Sequence, residues 1–199
     1  MTIPNIAVDL APHNPRELKL ANPVMAASGC FGYGQEYAHL IDVQRLGAFV
    51  SKGITPKPRQ GNPMPRITET PAGMLNAIGL QNPGIKKFIQ KYPPIWESWQ
   101  VPAIVNISAE TVDDFPMMAS RLDETPGIAG IEVNISCPNI NAGGFCFGWD
   151  AGMSAEVTRA VRAATTLPVI VKLSPGAVDV VEVAQAVEEA GADAISLIN

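Results

Sequence analysis

Six short apolar runs, separated by segments of helical spacing, constrain this chain more than any other feature. They are PVMAAS (23–28), GAFVSK (47–52), VPAIVNIS (101–108), IEVNIS (131–136), LPVIVKLS (167–174) and AISLIN (194–199). Near-continuous apolar strands belong in a sheet covered on both faces. Strands that alternate with helices run parallel and are joined by crossover helices. The spacing predicts helices over 36–45, 84–92, 109–122, 155–165 with Ser154 as its N-cap, and 179–190 closed by Gly191. An open doubly wound sheet and a (β/α)8 barrel both satisfy this pattern.

The strand ends favour the barrel. Their last inward-facing positions read Ser28, Lys52, Asn106, Asn134, Lys172 and Asn199. In a barrel these ends converge on one rim, where active sites form. In an open sheet only the neighbours of the switch point need polar ends. The expected fold is therefore α/β, a (β/α)8 TIM barrel with a small N-terminal strand pair over 6–10 and 17–20. About six of the eight strands that such a barrel needs fall in residues 1–199. These residues are expected to form a single partial barrel domain, with strands 7 and 8 absent.

Within IEVNISCPN (131–139), Ile131, Val133 and Ile135 alternate with Glu132, Asn134 and Ser136. Pro138 cannot continue a central ladder, so the strand is expected to end at Cys137. Taken alone, Cys137 reads as a buried cysteine at a strand end. The recurrence of polar strand ends makes it a candidate general base or nucleophile at the shared rim. A nearby lysine favours its thiolate, and an apolar setting opposes it. Burying Lys52 or Lys172 without a partner costs several kcal/mol. Two such lysines with three asparagines suit a flat, polar, anionic ligand with amide-like edges, because asparagine both donates and accepts.

The connection from Thr55 to about Pro94 is long for a link between core strands, which points to function. It holds a predicted hairpin, RITET with GMLNAIG, whose Arg66 and Glu69 read as a solvated edge. GCFGYG (29–34) lacks the GxGxxG order and reads as a turn. NAGGFCFG (141–148) reads as a glycine-rich loop, with Cys146 incidental.

A composition of 47% hydrophobic and 17% charged residues supports one sizeable core. The net charge of −5, without a basic run, argues against nucleic acid. Three cysteines without a CxxC suggest a reducing cytoplasm. No metal-ligand spacing, charged leader or membrane-length apolar run is present, so neither a metal nor a membrane is expected.

SGCFGYG, SKGIT, NPMPRITET, GMLNAIGLQNPG, NISCPN, VKLSP and SLIN together resemble the flavin-bearing catalytic subunit of class 1B dihydroorotate dehydrogenase. The resemblance implies FMN as cofactor and oxidation of dihydroorotate to orotate in pyrimidine biosynthesis. It implies Cys137 as catalytic base with Lys52 in support. FMN contacts fall on Ser28, Lys52, Gly53, Asn106, Asn134, Lys172 and Ile198. Substrate contacts fall on Lys52, Asn76, Ala77, Ile78, Gly79, Leu80, Asn134 and Asn199. Cysteine rather than serine at position 137 sets the chain apart from class 2, which also carries an N-terminal membrane-associated extension for which no room is expected here. NAIGL favours class 1B over 1A. The resemblance also implies an electron-transfer subunit carrying FAD and a 2Fe–2S cluster, and a homodimer of catalytic subunits within a heterotetramer. Competing readings are another FMN barrel acting on a pyrimidine, of the dihydropyrimidine dehydrogenase type, a Schiff-base lyase using Lys52 or Lys172, and an inactive truncated fragment serving as a binding surface. Residues 1–199 alone are expected neither to close a barrel nor to retain FMN.

Overall fold

The computed structural model describes residues 4–139 and 143–198. It opens with an antiparallel pair, β1 (Val8–Asp9) against β2 (Lys19–Leu20). Then come β3 (Met25–Ala26), β4 (Ala48–Val50) and an exposed hairpin of β5 (Ile67–Thr70) with β6 (Gly73–Asn76). Helices α1 (Gly84–Lys91) and α2 (Pro93–Trp96) precede β7 (Ala103–Ile107), α3 (Asp114–Asp123) and β8 (Gly130–Asn134). A second small pair, β9 (Pro138–Asn139) with β10 (Phe145–Cys146), leads into α4 (Ala151–Ala164). β11 (Val169–Lys172), α5 (Val180–Glu189) and β12 (Ala194–Ser196) follow.

The main sheet has six parallel strands in the order β12-β11-β8-β7-β4-β3. Each strand lies beside the one before it in the chain. A doubly wound sheet reverses direction at a switch point, and this sheet does not. It curls into a half-barrel, as the strand ends predicted.

Alternation along the strands sorts the apolar side chains into two cores. Ala48, Val50, Ile104 and Ile170 meet on the concave face, where Leu18 and Leu20 of the N-terminal segment plug the lower end. Phe49, Val105, Ile107, Ile131, Val133, Val169 and Val171 point outward to the helices. There they pack on Phe88, Phe115, Met118, Leu122, Val157, Val161 and Val187. Gly47 admits no side chain, because a Cβ there would lie 1.8 Å from the Asn22 carbonyl oxygen.

Several local expectations are corrected. Residues 36–45 form turns and a 3-10 helix over Val43–Arg45, capped by the Asp42 carboxylate, rather than an α-helix. PVMAAS contributes only Met25–Ala26, which is half-buried and pairs with β4. α3 starts at Asp114 rather than near Ala109. Pro116 thereby falls in the first turn, where no amide donor is required. α4 is capped by Asp150, which accepts from the Met153 amide at 2.8 Å. Ser154 sits inside that helix and donates to the Phe147 and Asp150 carbonyls. β8 ends at Asn134, three residues before Cys137. The Asn134 side chain causes this stop by accepting the Ser136 amide at 3.1 Å, a local turn that competes with the ladder. Beyond it Pro138 starts the β9–β10 pair, so the predicted loop over 141–148 contains a strand at Phe145–Cys146 and the start of a 3-10 helix at Phe147, while 141–142 lie outside the described residues. Arg66 is not a solvated edge. It donates to the carbonyls of Gln60 and Asn62 and to the side chain of Gln81.

Candidate active site

The concave face changes character from bottom to top. Above the apolar layer of Ala48, Ile104 and Ile170 lies a polar one. Asn106 donates from Nδ2 to Glu132 Oε2 at 2.6 Å, and the Ser196 hydroxyl donates to Glu132 Oε1 at 2.9 Å. Asn106 and Glu132 are 1% and 4% exposed. By the same alternation the next inward positions are Lys52, Asn134 and Lys172, with Lys172 in register with Asn134. Lys52 and Lys172 are half-buried, and among the described residues neither has an acidic partner. Half-buried ammonium groups without a counter-charge are poised for an anionic ligand. The Lys52 amide donates to the Gly32 carbonyl at 2.7 Å, tying the β4 exit to the GCFGYG turns.

Gly53 lies directly against this layer. A Cβ there would sit 2.8 Å from Asn106 Oδ1, an atom that is buried and has no hydrogen-bond partner among the described residues. Gly53→Ala is accordingly expected to displace Asn106. It should weaken ligand retention in the full-length protein by about tenfold, the cost of one misplaced hydrogen bond to a buried group. A binding titration with unchanged affinity would exclude the close approach.

Cys137 is 5% exposed and lies in the bend between β8 and β9. Its carbonyl accepts the Phe147 amide at 3.3 Å, which fixes the backbone beside the thiol. Burial pushes the thiol pKa above the ordinary value. The Ser108 hydroxyl and the Arg59 guanidinium pull it the other way. Ser108 is fully buried, and its hydroxyl completes no hydrogen bond of ordinary geometry, so we read it as a weak neighbour of the thiol and burial as dominant. Arg59 pairs with Glu110 at 2.7 Å across a cleft of about 370 Å³ lined by Thr55, Lys57, Ala109 and Asp114.

The structure thus gathers Lys52, Gly53, Asn106, Asn134 and Lys172 at one rim, with Cys137 just past the end of β8. Leu80, at φ +52°, reaches Gly53 from the end of the hairpin segment, and its carbonyl accepts the Asn82 side chain at 2.7 Å. Asn76 and Ala77 are exposed. Asn62 holds Ala77 and Ile78 through their carbonyls, and its side chain leaves room only for glycine at Gly79. Ser28 lies in the turn after β3, half-buried. The pairing of Met25 with Ala48 does not carry it inward by alternation. Ile198 is 49% exposed beyond β12, and Asn199 lies outside the described residues. Sequence reasoning assigned no role to Glu132, Ser196, Ser108, Arg59 or Glu110. The one local sign was a carboxylate inside an otherwise buried strand. Among the described residues no helix is long and apolar enough to cross a membrane, and no His, Cys, Asp and Glu cluster could hold a metal ion.

A curled parallel sheet with helices on its convex face and a polar C-terminal rim defines a β/α-barrel protein with its site at the strand ends. The chain belongs to the dihydroorotate dehydrogenase family, whose family model matches residues 13–199. It is 59% identical over 182 residues to a protein of Trichlorobacter lovleyi named dihydroorotate dehydrogenase B (NAD(+)), catalytic subunit. That alignment covers 92% of this chain and 60% of the relative. Similar proteins of the same name from Desulforamulus reducens and Pelobacter propionicus are 52% and 55% identical, over 98% of this chain and 62% and 63% of their own lengths. The chain therefore spans about 60% of the length of the curated relatives it matches.

Proposed function

We propose that this chain is the flavin-binding and substrate-oxidising portion of an NAD-linked dihydroorotate dehydrogenase that makes orotate for pyrimidine biosynthesis. One observation carries the reading: two half-buried lysines, without acidic partners among the described residues, and two asparagines share one rim with a buried thiol. The family is flavin-dependent, and the rim suits FMN. Among the described residues Asn106 Oδ1 is a buried acceptor without a donor, and the Gly53 backbone approaches it so closely that a Cβ there would lie 2.8 Å away. Ser28, Lys52, Gly53, Asn106, Asn134, Lys172 and Ile198 would hold the flavin. When bound, FMN supplies the centre that accepts the C6 hydride of dihydroorotate.

The chain's own residues do the rest. Cys137, as thiolate, removes the C5 proton, and the thiol keeps it until release to solvent. Lys52, with Asn134, Asn199 and the 76–80 segment, binds the substrate carboxylate and ring amides. Lys172 would place a positive charge beside the bound flavin, an electrostatic role in the oxidation. Strands 7 and 8 of the barrel, and the flavin phosphate site that barrels build there, would come from the part of the whole protein outside 1–199. The working assembly would be a cytoplasmic heterotetramer, a homodimer of catalytic subunits joined to subunits carrying FAD and a 2Fe–2S cluster that pass electrons to NAD. "Catalytic subunit" in the relatives' names supports a second kind of subunit.

The test is the visible spectrum of the full-length protein under anaerobic conditions. Flavin absorbance that bleaches on adding dihydroorotate is expected. A colourless protein, or a yellow one that dihydroorotate leaves unchanged, overturns the proposal. Residues 1–199 expressed alone are expected to lose FMN on gel filtration.

A further inference from the structure

Among the described residues the concave face contains one buried carboxylate, Glu132, to which the proposed chemistry gives no task. Glu132 sits in β8 below Asn134, with one oxygen on Asn106 and the other on Ser196. The Asn106 atom that faces Glu132 is the amide nitrogen, which donates from Nδ2 to Oε2 at 2.6 Å. The carbonyl oxygen of that amide is then turned away from Glu132, toward Gly53, where it is buried and has no partner among the described residues.

We infer that Glu132 is a positioning residue, which locks the Asn106 amide so that only an acceptor faces the ligand, and that the ligand edge resting there must be a hydrogen-bond donor. The inference deepens the flavin reading and rests on it, because a flavin carries one ring N–H beside its two carbonyls. An unlocked amide could rotate and offer its NH2 instead, and the site would then accept either kind of edge. The lock removes that ambiguity. Ser196 holds the second carboxylate oxygen and keeps Glu132 from rotating away.

Exchanging the two functional groups tests this. In Asn106→Asp two carboxylates face each other at the distance of the present hydrogen bond, so FMN affinity of the full-length apoprotein, read by fluorescence quenching, should fall about tenfold or more. Adding Glu132→Gln restores a donor–acceptor pair and leaves an acceptor toward Gly53, so the double variant should recover most of the affinity. Asn106→Leu, which has no acceptor, should stay weak. A double variant that binds no better than Asn106→Asp, or an Asn106→Leu protein that binds like the unsubstituted one, overturns the inference. Thermal unfolding without flavin follows the pair separately: Asn106→Asp should lower Tm and the double variant should restore it. Unsubstituted apoprotein that fails to bind FMN would instead remove the flavin reading, and this inference with it.

Discussion

Cys137→Ser in the full-length protein is expected to lower dihydroorotate oxidation near neutral pH by about a hundred- to ten-thousand-fold, the usual contribution of a positioned general base, with flavin retained. Retention follows from position: the thiol lies past the end of β8, beyond the Asn106 and Lys172 contacts proposed for the flavin. The pH dependence carries the mechanism. Only the thiolate can take the C5 proton, and burial holds the thiol pKa above its ordinary value. Turnover of the unsubstituted protein should therefore climb as pH rises from neutral into the alkaline range. A serine hydroxyl ionises far less readily, so the variant should climb later and recover only in part. Removing the Arg59 charge, as in Arg59→Gln, should move the unsubstituted profile further alkaline, since that guanidinium opposes the upward shift. A Cys137→Ser protein with unchanged turnover at pH 7 would take the proton-abstracting role away from this residue.

Phe49→Ala should destabilise the protein by about 3–5 kcal/mol, as for other large-to-small changes at fully buried aromatic positions. Phe49 has no exposed surface and lies at the centre of the convex-side aromatic packing. Its ring centroid is 5.3 Å from Trp96, 5.5 Å from Trp99 and 6.1 Å from Phe31. Removing the ring leaves a cavity that three large, shape-locked neighbours cannot collapse to fill. Because domains are stable by only about 5–15 kcal/mol, the loss should show as a clear fall in the urea midpoint. Val178→Ala, at a side chain 96% exposed, serves as the control and should stay within about 0.5 kcal/mol. A Phe49 effect no larger than that of Val178 would show that the outer core is not packed as described.

Where sequence reading failed along the chain, the cause was a hydrogen bond rather than hydrophobicity. The Asn134 side chain stops β8 early by capturing the Ser136 amide. Asp150 outcompetes Ser154 for the N-terminus of α4, because a carboxylate one residue before the helix reaches the Met153 amide. Arg66 looked solvated in the alphabet of its own hairpin, yet its acceptors sit 6, 4 and 15 residues away in the preceding loop and after the hairpin.

The sequence by itself determined the parallel α/β order and which strand ends are polar. Both are read from periodicities of two and three to four residues, set by backbone geometry within a single element. Only the tertiary structure decided how those polar groups are paired. Glu132 finds its partners 26 residues earlier, at Asn106, and 64 residues later, at Ser196. Hydrogen bonds of that kind depend on strand register and the curl of the sheet, and no local pattern encodes them.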